Sequence, residues 1–176
     1  MFSLNHTHDP KTRSWLDSAN GHPDFPLQNL PLAVCRRSGS HEVFRGSVAI
    51  GDQVLDLAAL ARQGLLHGAV QQACEAAAQS SLNDFMAQGR AAGQALRHGL
   101  FDLLKAQSPA VAQEAVRACL ISRNQVEYTL PARVGDYTDF YTSIHHARSV
   151  GRIARPNDPL TANFQWLPIA YHGRAS

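Results

Sequence analysis

Charge is scarce in this chain. Asp, Glu, Lys and Arg make up 17% of it, and 16 basic residues nearly cancel 14 acidic ones, leaving a formal net charge of +2. That surplus is too small to support binding to nucleic acid or to an acidic membrane surface. Long apolar runs are missing too: none approaches the roughly 18 residues that a membrane helix needs. The N-terminal Met1-Phe2-Ser3-Leu4-Asn5-His6 has no basic region followed by an apolar one, so secretion has no sequence support. Cysteine is limited to Cys35, Cys74 and Cys119. They are odd in number, far apart and outside any Cys-x-x-Cys pattern, which fits reduced core thiols and a cytoplasmic location. No internal repeat or flexible low-complexity linker interrupts the sequence. What is plentiful is apolar content, 44% of 176 residues. That is enough for a core in one domain, or in one domain plus part of another.

Residues 1–24 are polar and read as a mobile, solvated arm. His6 and His8 within it have spacing that a transition metal could use, but nothing nearby fixes their geometry. Leu32 to Cys35 and Glu42 to Ile50 read as strands. Gly51-Asp52 is a two-residue hairpin signal between apolar flanks, and Gly46 inside its strand suggests a bulge or bend. Short strands with tight turns suggest a small barrel or curled sheet. Asp56 can cap a helix starting at Leu57. Residues 67–80 have few large apolar side chains, so a helix there is predicted to pack weakly. From Ser81, with Asp84 as a shortened capping box, Leu82, Phe85, Met86, Gly89, Gly93, Leu96, Leu100, Leu103 and Leu104 recur along one helical face. Ser108-Pro109 opens a further helix with Val111, Ala115, Ala118 and Cys119 inward. Val126, Tyr128 and Leu130 alternate as a strand that Pro131 ends. The domain boundary falls near there, giving residues 1–131 and 132–176.

Chemistry concentrates in Gly135-Asp136-Tyr137-Thr138-Asp139-Phe140-Tyr141-Thr142-Ser143-Ile144-His145-His146. Acid, phenol and imidazole close together can supply a metal ligand, hydrogen-bond donors and a base near neutral pH. Thr138 or Asp139 is predicted to cap a helix reaching about Val150. His146 would then lie two turns from Asp139, about 10 Å along the same face. Spacing alone is met better by a capping Asp and a satisfied surface His.

The residues themselves go further. Gly135 to Tyr141 followed by His145-His146-Ala147 closely resembles the fumarylacetoacetase family. Three more segments match in order: Asp24-Phe25-Pro26-Leu27-Gln28-Asn29-Leu30-Pro31, then Val48 to Leu57, then Leu167 to Ser176. The resemblance implies an α+β fold. Its parts would be a small SH3-like β-barrel with flanking helices, followed by the incomplete start of a catalytic β-roll domain. It also implies hydrolysis of the carbon–carbon bond of fumarylacetoacetate, giving fumarate and acetoacetate in tyrosine and phenylalanine breakdown. By matching positions, Asp139 would be the carboxylate ligand of a divalent metal, calcium or magnesium, and His146 the general base that takes a proton from water. Tyr141, Arg155 and Tyr171 would bind the diketo acid substrate, since guanidinium and phenol groups suit its carboxylate and keto oxygens. His146 rather than His145 takes its role as the residue before Ala147. Arg155 takes its role by offset, with Arg148 and Arg152 close by.

In that family the remaining metal ligands and catalytic groups, and the homodimer contact, lie in sequence beyond Ser176. The resemblance therefore implies a fragment that binds no metal and turns nothing over alone. Its tail is expected to be poorly ordered or adventitiously packed, with Phe164, Trp166 and Leu167 short of partners. Two other readings stand beside this one. The chain could be a non-catalytic binding or regulatory module built on the N-terminal domain, or part of a hydrolase for another diketo acid.

Overall fold

The computed structural model describes residues 4–167 and 170–173. The remainder of the two terminal segments quoted above lies outside them. The chain divides into two units, Met1–Arg133 and Val134–Ser176.

The first unit is built on strands β1 (Leu32–Arg37), β2 (Arg45–Ile50), β3 (Gln53–Asp56), β4 (Leu120–Ser122) and β5 (Val126–Thr129). They form one antiparallel sheet in the order β4-β3-β2-β1-β5. Alternation along the strands sends side chains to two apolar clusters. Val34, Val48, Ile50 and Leu55 join the main core, while Cys35, Val54, Ile121 and Val126 form a second, small one. The β2–β3 hairpin pairs Ile50 with Gln53. Gly51 holds φ +55° at its turn, and a Cβ there would also press into the Ser18–Ala19 backbone. Gly46 makes no bulge, since the register runs unbroken from Leu32↔Val48 to Cys35↔Arg45. Its missing Cβ instead admits the Ala77 carbonyl, and its N–H donates to Ala78 O at 3.2 Å.

Helices α1 (Leu57–Ala61), α2 (Gly68–Ala77), α3 (Asn83–Ala87), α4 (Gly89–Leu104) and α5 (Ala110–Arg117) cover the main core. Asp56 caps α1, accepting from the Ala59 N–H at 3.0 Å. Helix α2 packs closely rather than weakly. Its small Ala73, Cys74 and Ala77 are fully buried and let it approach α1 and α4. Burial pushes the Cys74 thiol up to about 12. The single long helix expected from Ser81 is broken where Gly89 takes φ +75°. The Ser81–Asp84 capping box does not form, because Leu82 occupies the cap position without a side-chain bond. Met86 is exposed and Gly93 faces open space. The glycine that permits close packing is Gly99, against Val70. Within α5 the inner face is Ala112 and Val116 rather than Val111 and Ala115, with Val111 82% exposed, while Cys119 just beyond the helix is buried as expected.

The N-terminal segment is no mobile arm among the described residues. Thr7 and Ser14 are buried. Ser14 Oγ donates to Leu104 O at 2.7 Å, and the Trp15 indole N–H donates to Leu103 O at 2.9 Å. Leu16 and Ala19 enter the main core. These bonds satisfy carbonyls at the C-terminus of α4 that the helix itself leaves unpaired, and the Trp15 backbone N–H also donates to Leu104 O.

The second unit contains β6 (Thr138–Phe140), α6 (Ile144–Ala154), a 3₁₀ turn (Ala162–Gln165) and β7 (Ala170–His172). Phe164 is half-buried, whereas Trp166 and Leu167 are exposed.

Candidate functional site

Strand β6 pairs antiparallel with β7 in the register Thr138↔His172, Asp139↔Tyr171, Phe140↔Ala170. Asp139 is therefore a strand residue, not a helix cap, and the expected two-turn helical spacing to His146 does not exist. The cap is Ser143, whose Oγ accepts from the His146 N–H at 3.3 Å. Cross-strand partners in a ladder point to the same face, and so do alternate residues along a strand. Asp139 and Tyr171 thus share one face of the ladder. The Tyr137 hydroxyl donates to Asp139 Oδ2 at 3.1 Å. Behind the pair, Thr138 Oγ1 and His172 Nδ1 lie 2.8 Å apart.

Past β6 the chain turns into α6 and brings the imidazole back. The rings of Tyr141 and His146 stack with centroids 4.9 Å apart and planes at 26°. Tyr171 approaches Tyr141 from the other strand, ring centroids 5.6 Å apart. Desolvation, the facing Tyr171 phenol and the Asp139 carboxylate together raise the Tyr141 hydroxyl above the ordinary phenol value. Tyr141 is thus a neutral O–H donor at physiological pH.

Beside these rings lies a cleft of about 200 Å³, lined among others by Tyr141, Arg155, Leu160, Phe164 and Tyr171. Helix α6 forms one wall through Ala147, Val150, Gly151 and Ala154, which recur at helical spacing. Gly151 is required there, because a Cβ would overlap the Pro159 carbonyl. Tyr141, Arg155 and Tyr171 therefore border one cleft, and His146 is held against it through Tyr141. Arg148 and Arg152 are exposed and do not line it. The cleft joins an apolar floor to phenol and guanidinium donors, an arrangement suited to a small organic anion.

Asp139 alone is a poor metal site. Among the described residues, no three His, Cys, Asp or Glu side chains converge to hold an ion. Calcium needs about six to eight oxygen ligands, so a complete metal centre would need donors from outside these residues. Sequence reasoning gave no role to Tyr137, which orients Asp139, or to Leu160 and Phe164. The repeat of small residues along α6 is the signal that marks their cleft.

Comparison with known proteins adds to this geometry. The profile of the fumarylacetoacetase N-terminal family matches residues 28–131, well over half of the chain. The chain belongs to that family. Similar proteins include the fumarylacetoacetase of Oryza sativa subsp. japonica, 46% identical over 169 residues, which covers 93% of this chain and 39% of the rice protein. The Arabidopsis thaliana fumarylacetoacetase is 41% identical over 155 residues, covering 86% of this chain and 37% of that protein. For the Homo sapiens fumarylacetoacetase the figures are 40% over 157 residues, 87% and 37%. The chain thus spans well under half the length of these curated relatives. The matches to them reach beyond residues 28–131, since 155 to 169 residues align. No helix among the described residues is long and apolar enough to cross a membrane.

Proposed function

We propose that the chain is a segment of a fumarylacetoacetase, a hydrolase of the carbon–carbon bond between fumaryl and acetoacetyl groups, and that residues 134–176 supply one wall of its active site. The observation that carries this reading is the gathering of Tyr141, Arg155 and Tyr171 around one cleft, with His146 stacked on Tyr141. In this reading Arg155 pairs with a substrate carboxylate, and the Tyr141 and Tyr171 hydroxyls donate to carboxylate or keto oxygens. His146 accepts the proton of the attacking water, and the stack on Tyr141 fixes its ring plane. Asp139 would contribute one carboxylate toward a calcium or magnesium ion whose other ligands would come from further sequence. The same further sequence would carry the homodimer contact, and the setting would be tyrosine and phenylalanine catabolism in the cytoplasm.

The first unit serves here as the scaffold, and we take its sheet to be the family's SH3-like barrel. In support, the 3₁₀ turn Arg123–Gln125 joins the two strands at opposite ends of the sheet order, β4 and β5, and a small apolar cluster lies among the strands themselves. A non-catalytic module built on this unit is the competing reading. The test is a chimera that continues this chain with the C-terminal part of the rice relative, assayed on fumarylacetoacetate beside the 176-residue chain. Turnover by the chimera alone is expected. An inactive but folded chimera would favour the non-catalytic module.

A further inference from the structure

The last residues of the first unit are held in an unusual way. Beyond β5, the Leu82 N–H donates to Pro131 O at 2.7 Å. Two residues on, the Asn83 side chain takes both backbone groups of Arg133. Its Oδ1 accepts from the Arg133 N–H at 2.8 Å and its Nδ2 donates to Arg133 O at 3.1 Å. A primary amide presents one acceptor and two donors, so Asn83 can act toward Arg133 as a strand partner's peptide group would. Residues 131 and 133 are engaged and 132 is passed over, the alternation of a β-ladder. Among the described residues no strand pairs there: β5 ends at Thr129, and Asn83 opens α3.

We infer that Asn83 is a peptide-mimicking clamp that fixes where the chain leaves the first unit. Without the clamp the chain would be tethered at Pro131 instead, with two further residues of slack, about 7 Å of reach.

The test uses Asn83→Ala and Asn83→Asp. In the 176-residue chain, amide hydrogen exchange is expected to quicken at least tenfold at Arg133 in Asn83→Ala, while the Val48 and Leu100 amides keep their rates. In Asn83→Asp the acceptor survives but a second oxygen then faces Arg133 O, so Arg133 exchange is expected to fall between wild type and Asn83→Ala. A residue serving only α3 would leave Arg133 exchange unchanged in Asn83→Ala. Unchanged Arg133 exchange in Asn83→Ala would overturn the clamp.

Discussion

Single residues carry much of the second unit's geometry. Ser143 caps α6, not the expected Thr138 or Asp139, although all three residue types suit a helix start. What decides among them is β7, more than thirty residues away in sequence, which takes Thr138–Phe140 into a ladder. Local propensity cannot register such a partner. Gly151 shows the same dependence on distant sequence, because the Pro159 carbonyl occupies the place of its Cβ. Gly151→Ala should gain helix propensity and still lose stability, by about 1–3 kcal/mol, since overpacking outweighs the propensity gain. Amide exchange along Ile144–Ala154 measures this. Slower exchange in the variant would show that the close approach to Pro159 is not real.

At the level of elements, the β2–β3 hairpin and the Asp56 cap were legible, because Gly-Asp between apolar flanks and Asp before a Leu/Ala run are local signals. The long helix was not. Its apolar repeat continues across Gly89, and only the backbone shows the break into α3 and α4. The turn of the hairpin has an electrostatic consequence. Hydrogen bonds from Ser18 and Gln53 hold the Asp52 carboxyl below its ordinary 3.8. For Glu42, desolvation pulls upward, but hydrogen bonds from Arg37 and Arg45 prevail and hold it below 4.5. A folded-state value below the unfolded one means stabilisation that is present above the unfolded value and lost as the pH falls through the folded one. The urea midpoint of the chain should therefore hold from neutrality to about pH 5 and decline below about pH 4. In Asp52→Asn that acid decline should be shallower. An identical decline would remove Asp52 from this account.

Across the whole molecule, the resemblance read from four ordered segments placed the chain in its family, and the profile match over residues 28–131 agrees. The α+β character was legible for the same reason that the hairpin was, since its signals are short-range. The N-terminal segment was misread, because the anchors that hold it are backbone carbonyls of Leu103 and Leu104, about ninety residues on and silent in any sequence pattern. The grouping of Tyr141, His146, Arg155 and Tyr171 likewise depends on chain reversal through β6, α6 and β7. Whether that grouping is a working wall of a hydrolase is decided most directly by kcat of the chimera on fumarylacetoacetate with His146 replaced by Ala. A positioned general base contributes about 10²–10⁴-fold, so a loss of that size is expected, with KM changed far less. Retention of wild-type kcat by His146→Ala would contradict the account.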